Sequence, residues 1–368
     1  MNLKGKVKFV AKDKSQFFPV LKKRIDDYFE TNHISRHANA SMILKTFILL
    51  TGYATPFVVL LVLTPPFWAA LLLWLLMGVC LAGIGMSVMH DANHGAYSSN
   101  KYVNIAVGHT LNILGGSVHN WKLQHNILHH TYTNIAGMDE DIADRLVLIF
   151  SPHSKPKWYN KFQPIYAFVF YGLMTAYWVL LKDLIQLIQF TKSGVNPQTR
   201  NENISLFVRL TIIKLIYLFT MLVVPTLYFG IPFYQIIFGF VLMHYTGGII
   251  LSLVFQLAHT VDETTHPLPV NGVIENDWAI HQMNTTVNFS PNNKLLSWYV
   301  GGLNYQVEHH LFPRICHVHY PQISAIVKET AEEFNVPYLQ KPDFYTALKS
   351  HFSALQRFGT PHPNHVIV

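Results

Sequence analysis

The sequence QVEHH at residues 306–310 places two adjacent histidines, His309 and His310, behind a glutamine, Gln306. In a helix, spacings of three and four residues bring these three side chains to one face. HDANH at 90–94 and HNILHH at 125–130 repeat the pattern with His90, His94, His125, His129 and His130. One HxxxH pair is more often a solvated or structural pair than a ligand site, but three clusters on one chain predict a metal site.

Composition indicates a membrane protein. Half of the 368 residues are hydrophobic and only 13% are charged, a bias that is typical of transmembrane chains. Two cysteines are too few for a disulfide framework or for an iron–sulfur cluster, so histidine must provide the metal ligands. The net charge of +7 fits basic cytoplasmic loops, and no basic and aromatic pattern indicates nucleic-acid binding.

Apolar runs predict two transmembrane hairpins in an all-α fold. Residues 46–64 and 67–89 are separated only by Pro65-Pro66, and 206–229 and 232–257 only by Gly230-Ile231. Each run is long enough to cross about 30 Å of hydrocarbon. We therefore expect four transmembrane helices, with interfacial helices and a helical cytosolic cap that carries the histidine clusters.

A fifth apolar run, 163–182, lies between the second and third clusters. If it also crossed the membrane, the third cluster would lie on the opposite side from the first two, and no shared site could form. We therefore predict an interfacial or re-entrant helix here. Lys and Arg are concentrated in the N-terminal segment, in 101–161 and in the C-terminal third, which places all three clusters at the cytoplasmic face.

These patterns divide the chain into six segments. The predicted segments are a basic amphipathic segment at 1–45, a hairpin at 46–89, a cytosolic segment with two clusters at 90–162, an interfacial helix at 163–190, a hairpin at 206–257, and a cytosolic segment with the third cluster and C-terminal helices at 258–368. The apolar face of the N-terminal helix, with Phe18, Leu21 and Ile25, predicts a membrane-surface position. Phe344, Leu348, Phe352 and Leu355 mark the apolar face of the last helix.

Residues outside the clusters add candidates. His259 ends the predicted fourth span as His90 ends the second, so it is a further candidate ligand. The acidic run Asp139-Glu140-Asp141 is either a solvated face or a set of carboxylates that fix imidazole tautomers. Other histidines are expected to be structural, with His281 and His317 the best candidates for contact with the ligands.

The ligand supply exceeds the need of one zinc ion, which takes four ligands, and suits two metal ions with open positions. Imidazole accepts iron, copper, zinc or nickel, so the ligand type alone does not identify the metal. A site at the mouth of an apolar bundle favours O2 activation by two iron ions for attack on an unactivated C–H bond.

The segments HDANHGAY at 90–97, WKLQHNILHHTYTN at 121–134 and LNYQVEHHLFP at 303–313 resemble the three histidine boxes of membrane-bound fatty acid desaturases. Gln306 in place of a histidine resembles the front-end (Δ6 and Δ5) subgroup, and among bacterial members the linoleoyl-CoA desaturases. The resemblance covers residues 40 to 340. It implies four spans, a cytosolic diiron centre, and insertion of a cis double bond into a long acyl chain, on CoA or a lipid, with reduction of O2 to water.

Carried over by position, the resemblance implies iron ligation by the seven box histidines and by His259, with Gln306 where relatives have a ligand histidine. No haem-binding HPGG motif precedes the first span, so we expect electrons from a separate ferredoxin or cytochrome b5 with its reductase. Two alternatives remain at this point: a hydroxylase of fatty acids or sphingolipids on the same scaffold, and a histidine-rich metal transporter. Transport ligands are expected within spans, near the midplane.

Overall fold

The computed structural model describes residues 7–11, 15–144 and 147–361. In chain order, the helices are Phe17–Thr31, Ala40–Leu63, Phe67–Gly83, Ile84–Val88, Met89–His94, Lys101–Gly108, Thr110–Ile113, Val118–Trp121, Lys122–His129, His130–Tyr132, Asn160–Phe162, Gln163–Tyr177, Trp178–Lys182, Asp183–Lys192, Arg200–Leu218, Phe219–Val223, Val224–Phe229, Phe233–His259, Trp278–Thr285, Lys294–Tyr299, Gln306–Leu311, His317–His319, Tyr320–Glu333 and Phe344–Gly359. Two pairs of two-residue parallel strands complete the described structure: Lys8–Phe9 with Val273–Ile274, and Asn288–Phe289 with Gln340–Lys341. The described structure is mostly helical, which confirms the helical character of the predicted all-α class.

Five helical stretches are long and apolar enough to cross a membrane. They are Ala40–Leu63, Phe67–His94, Asn160–Lys192, Arg200–Phe229 and Phe233–His259. Four of them correspond to the predicted hairpin helices, and the fifth contains the run predicted to be interfacial. The number of helices that cross, four or five, stays a prediction.

The chain forms two compact units. Among the described residues, the first unit comprises Ala38–Leu123 and Val169–Leu253, and the second comprises 7–11, 15–37, 124–144, 147–168 and 254–361. Each unit is therefore assembled from segments that are distant in sequence.

Small residues allow close helix packing in the first unit. A Cβ atom added at Gly78 would lie 2.5 Å from the carbonyl oxygen of Met243, and one added at Gly239 would lie 2.1 Å from the Trp74 ring. Small residues are what membrane helices use to approach one another closely. Larger side chains at these two positions would push the helix Phe233–His259 away from its neighbour.

The core of the second unit corrects the expectation for the N-terminal helix. Phe17, Leu21, Ile25 and Phe29 are buried in a cluster that includes Ile323 and other residues of Tyr320–Glu333. Its apolar face is therefore covered by protein, and the predicted membrane-surface position is wrong. Apolar periodicity indicates that a face is buried but not what covers it.

The C-terminal helix Phe344–Gly359 also buries a different face from the predicted one. Leu355 is buried as expected, but Phe352 is 41% exposed, whereas Ala347, His351 and Ala354 are buried. The Nδ1 atom of His351 donates to the carbonyl oxygen of Thr260 at 2.7 Å. This bond fixes the last helix to the segment that follows His259.

Burial of His351 predicts a loss of stability in acid. Burial lowers its pKa to about 4 from 6.5, so the unfolded chain binds a proton between these pH values and the folded chain does not. The stabilisation is complete above pH 6.5 and decreases as the pH falls towards 4. We expect His351 to account for about 2 kcal/mol of the stability lost between pH 7 and pH 5. Thermal unfolding in detergent at both pH values tests this, because His351→Gln, which keeps a donor for Thr260, should show a smaller difference. An equal pH dependence in both proteins would contradict it.

Candidate metal centre

The first histidine pair lies in the first unit, at the end of a continuous helix. The helix Phe67–Gly83 passes through a π-helical turn, Ile84–Val88, into Met89–His94, and Gly95 ends it with a φ of 78°. The rings of His90 and His94 are 4.7 Å apart, as expected for residues one turn apart. The Trp121 ring lies 5.6 Å from each of them. The pair thus lies in the last two turns of the continuous helical stretch Phe67–His94.

The second cluster lies on a helical segment of different geometry. Lys122–His129 is π-helical, so residues five apart come together, in addition to the α-helical spacing. The Nε2 atoms of His125 and His130 are 3.2 Å apart, and the rings of His125 and His129 are stacked at 5.3 Å. The π-helical turn therefore brings all three imidazoles to one side.

The third cluster lies on the short helix Gln306–Leu311, which confirms the predicted helical conformation of QVEHH. The preceding turn needs glycine, because Gly302 has a φ of 66° and an added Cβ atom would lie 2.8 Å from that of His317. The side chain of Asn288 accepts a hydrogen bond from the amide of Val307 at 2.9 Å. The start of the helix is therefore fixed from outside the cluster.

Glu308 is buried within the third cluster and faces away from water. It accepts hydrogen bonds from Asn288 and Tyr338, both at 2.8 Å. Burial raises its pKa to about 7, although the Tyr338 and Asn288 bonds lower it. These bonds fix the orientation of the helix that presents His309 and His310.

Within the second unit, six histidines lie in ring contact. His129 is 4.7 Å from His259 and 4.9 Å from His310, and His259 is 4.8 Å from His310. His130 is 4.6 Å from His309, and His125 is 5.9 Å from His309. The structure thus brings the second cluster, the third cluster and His259 together.

Three of these imidazoles have their Nδ1 atoms bound to protein acceptors. The acceptors are the carboxylate of Asp139 for His129 at 3.1 Å, the carbonyl oxygen of Thr285 for His259 at 3.1 Å, and Oε1 of Gln282 for His310 at 2.8 Å. An acceptor at Nδ1 places the proton there and leaves the Nε2 lone pair available to a cation. The three Nε2 atoms are buried and have no hydrogen-bond partner.

The donor set fits a metal ion. One ligand atom each from His129, His259 and His310 lies within 4.8 Å of the others. Buried imidazole nitrogens that lack a partner are costly unless something binds them. The arrangement therefore fits the metal site that the sequence predicts, with ligands that suit iron, zinc, copper or nickel.

Asp139 and Asp141 give the site a negative field. Burial alone would lower the pKa of His129, but the carboxylates of Asp139 and Asp141 offset this and raise the pKa to about 9. A site that favours imidazolium also favours a metal cation near the same ring. Asp139 is 2% exposed, so the solvated-face interpretation of the acidic run is wrong for this residue, and the tautomer-fixing interpretation agrees with its contacts.

Burial and neighbouring imidazoles keep His310 neutral. Burial lowers its pKa well below 6.5, and His130, His259, His129 and His309 add to the effect. Neutral imidazole is the form that ligates metals. The environments of His129 and His310 thus differ in charge, although both present Nε2 towards the same space.

Gln282 is a site residue that sequence reasoning missed. Its Oε1 atom accepts from His310 and from the Thr133 hydroxyl, both at 2.8 Å, and its Nε2 atom donates to the carbonyl oxygen of His130 at 3.2 Å. It therefore connects the second cluster to the third. No spacing or motif marks this glutamine, because its role arises from a helix, Trp278–Thr285, that lies far from both clusters in sequence.

Two other predicted residues have defined surroundings. Gln306 is buried beside His259, and its amide nitrogen has no hydrogen-bond partner. His281 donates from Nε2 to the carbonyl oxygen of Thr133 at 2.9 Å, and burial lowers its pKa to about 4. His281 thus binds the backbone just beyond the second cluster, and its contact with the candidate ligands stays a prediction.

Comparison with known proteins connects this site to an activity. The fatty acid desaturase family profile matches residues 66–342. The chain belongs to the fatty acid desaturase family. Among curated relatives, the desaturase is 36% identical to an sn-1 linoleoyl-lipid 6-desaturase of Synechocystis sp. (strain ATCC 27184 / PCC 6803 / Kazusa) over 96% of this chain and 98% of the relative.

Other relatives agree with this assignment. The desaturase is 34% identical to an sn-1 linoleoyl-lipid 6-desaturase of Arthrospira platensis over 92% of this chain and 91% of the relative. It is 35% identical to an acyl-lipid (8-3)-desaturase of Physcomitrium patens over 97% of this chain and 74% of the relative. The chain is therefore a fatty acid desaturase of the membrane-bound kind, which confirms the predicted enzyme class and decides against a metal transporter.

Proposed function

We propose that this desaturase uses two iron ions and O2 to insert a cis double bond into a long acyl chain. The proposed ligands are His90, His94, His125, His129, His130, His259, His309 and His310, with Gln306 as a further candidate. The observation that carries the proposal is the set of three buried Nε2 atoms, each on an imidazole whose Nδ1 is bound to an acceptor. Loss of metal binding on substitution of these histidines is the corresponding test.

Bound iron would supply the activation of O2, with two electrons and two protons, so that two hydrogen atoms leave adjacent carbons and two water molecules form. The protein groups hold the ligand tautomers and keep bulk water from the site. Asp139 holds the proton on Nδ1 of His129, and Gln282 does the same for His310. Fixed tautomers avoid reorganisation of the ligands during turnover.

We infer a lipid-linked substrate and front-end regiochemistry, with linoleoyl chains as the first candidate. Two relatives that match almost the whole chain are named for linoleoyl lipid and for position 6, and Gln306 stands in the third cluster as in the front-end subgroup. The linoleoyl-CoA alternative predicts that the product appears first in the acyl-CoA pool.

A feeding experiment tests this function. The chain is expressed in a host without polyunsaturated fatty acids, linoleate is supplied, and products are analysed by mass spectrometry for double-bond position and lipid class. We expect a new double bond on the carboxyl side of the existing ones, appearing first in membrane lipid. A hydroxylated product would favour the hydroxylase alternative, and a bond on the methyl side would contradict front-end activity.

We further propose four spans, with the centre at the cytoplasmic face. If the second and third clusters serve one centre, the chain between them must cross the membrane an even number of times. The helix Asn160–Lys192 then lies at the membrane surface.

Cysteine labelling tests this topology. Lys157 and Lys192 are exposed near the two ends of this helix, and the native Cys80 and Cys316 are buried. We expect Lys157→Cys and Lys192→Cys to react with a membrane-impermeant thiol reagent only in inverted vesicles of a bacterial host. Thr64→Cys, in the first hairpin turn, is the control that should react only from the other side. Labelling of the two helix ends from opposite sides would rule out the four-span topology.

We also propose that a separate acidic electron carrier, a ferredoxin or cytochrome b5 served by its reductase, docks on basic residues of Phe17–Thr31. Lys22 and Lys23 are exposed there, whereas Arg24 pairs with Glu333 at 2.6 Å and donates to Thr330 at 3.0 Å. Arg24 is therefore a poor choice for charge reversal, since its loss would disturb the core beneath.

Charge reversal at the two lysines tests docking. We expect Lys22→Glu/Lys23→Glu to slow turnover with the carrier about tenfold at low salt, with a smaller effect at high salt, because electrostatic steering mainly changes association rates. Turnover with a chemical reductant should not change. Lys349→Glu, at an exposed position on the last helix, is the control. Equal rates for the double variant and the wild type would contradict docking at this surface.

A further inference from the structure

A buried ion pair connects two of the apolar helices of the first unit. Nζ of Lys214 lies 3.0 Å from the carboxylate of Asp183, and the two side chains are 5% and 1% exposed. Lys214 belongs to the apolar helical stretch Arg200–Phe229, and Asp183 belongs to the apolar helical stretch Asn160–Lys192. Charged residues within apolar helices are costly and commonly have a function.

Lys214 also binds backbone carbonyl groups at an irregular turn of the neighbouring helix. Trp178–Lys182 is a π-helical turn, and Nζ of Lys214 lies 2.9 Å from the carbonyl oxygen of Trp178 and 2.8 Å from that of Val179. It is also 3.1 Å from the carbonyl oxygen of Gly115. One ammonium group thus binds the interrupted helix and the segment that begins at Gly115.

Asp183 binds the other end of the same segment. Its backbone carbonyl accepts from the side-chain amide of Asn120 at 2.5 Å, and its carboxylate accepts from the indole of Trp178 at 2.9 Å. Nζ of Lys214 thus holds Gly115, and the backbone carbonyl of Asp183 holds Asn120, so the two residues of the ion pair fix residues 115 to 120 at both ends.

This segment leads directly to the first histidine pair. Trp121 follows Asn120, and its ring lies 5.6 Å from the rings of both His90 and His94. Trp121 forms one apolar cluster with Met89, against which Trp178 also packs. Trp178, which donates to Asp183, packs on this cluster, and Asn120 directly precedes Trp121. The two residues held by Asp183 are thus connected to the surroundings of His90 and His94.

We propose that the Lys214–Asp183 ion pair is a positioning device for His90 and His94, acting through Asn120 and Trp121. A buried ion pair is rarely retained for stability, because desolvation offsets the attraction between the charges. Its several directional bonds instead specify one arrangement of the segment that supports the imidazoles. The inference rests on the proposed function, since it treats this pair as metal ligands.

Two variants separate positioning from simple stability. Asn120→Leu cuts the connection to Asp183 and leaves both charges in place, whereas Lys214→Met removes the ammonium group itself. Asn104→Leu is a matched control, because Asn104 makes two side-chain bonds to Ser98 in the same unit, at 2.9 and 2.6 Å, without contact to Asp183. If Lys214→Met does not fold, Asn120→Leu alone decides the question.

The measurement is iron affinity by chelator competition on the folded fraction after size-exclusion chromatography. Removal of groups that orient metal ligands usually lowers metal affinity about 10- to 100-fold. We expect Asn120→Leu and Lys214→Met to lose iron affinity by that factor, and Asn104→Leu to keep the wild-type affinity. The loss should occur in the binding phase that His90→Ala removes. Wild-type affinity in folded Asn120→Leu would overturn the proposal. If His90→Ala itself removes no iron, the proposed function fails instead, which is a distinguishable result.

Discussion

The substitution His129→Ala is expected to abolish double-bond formation. His129 has the carboxylate of Asp139 at Nδ1 and an Nε2 atom without a partner, in ring contact with His259 and His310. Loss of this nitrogen removes a ligand outright, so the decrease should exceed the loss of about 10- to 100-fold that follows removal of a ligand's orienting group. Product formation from linoleate and iron content per chain are the measurements.

Two further variants make this result interpretable. Alanine leaves the buried Asp139 without its imidazole partner, so we expect His129→Ala to lose stability as well as metal. His310→Ala leaves only the neutral Gln282 and Thr133 side chains behind and should lose activity with less effect on folding. His319→Gln, at a buried histidine that binds the backbone carbonyl of His37, is the control that should keep iron and most activity. Unchanged product in folded His129→Ala would remove the second cluster from the active site.

The substitution Gln282→Leu is expected to have the next largest effect. It removes the acceptor that fixes the His310 tautomer, the acceptor for Thr133 and the donor to His130. We expect iron affinity to fall about 10- to 100-fold and turnover to fall with it. Chelator competition and product analysis check both quantities.

The matched control for this variant is Gln163→Leu. Gln163 is equally buried in the same unit and makes three hydrogen bonds, to both backbone groups of Ile149 and to the carbonyl oxygen of Leu355. Its replacement should cost stability but leave iron affinity unchanged. If both variants lose iron to the same extent, Gln282 has only a general packing role.

The clusters and apolar runs were predictable because they are local patterns. Helix Gln306–Leu311 begins at the glutamine that opens the third cluster, and each of the five apolar helices overlaps one of the five apolar runs of the sequence. Burial of a face is encoded in its periodicity. The periodicity does not encode which element covers that face. It therefore predicts a membrane-surface position for the N-terminal helix, although Tyr320–Glu333 covers the apolar face.

Other features depended on contacts between distant segments. The π-helical turn at Lys122–His129 alters which imidazoles face each other, yet the sequence spacing is compatible with an ordinary α-helix. The burial of Asp139 was one of two interpretations of an acidic run, because only packing decides whether a carboxylate reaches a histidine or water. No spacing or motif in the sequence indicates a role for Gln282.

The amino-acid sequence by itself determined the apolar helices and the three histidine clusters, since hydropathy and residue spacing are properties of short segments, and the resemblance of these clusters to histidine boxes indicated a desaturase. Only the tertiary structure decided which nitrogen of His129, His259 and His310 remains available. That choice depends on acceptors up to 28 residues away along the chain, and a hydrogen bond to an acceptor exists only once folding has brought the two groups within about 3 Å of each other.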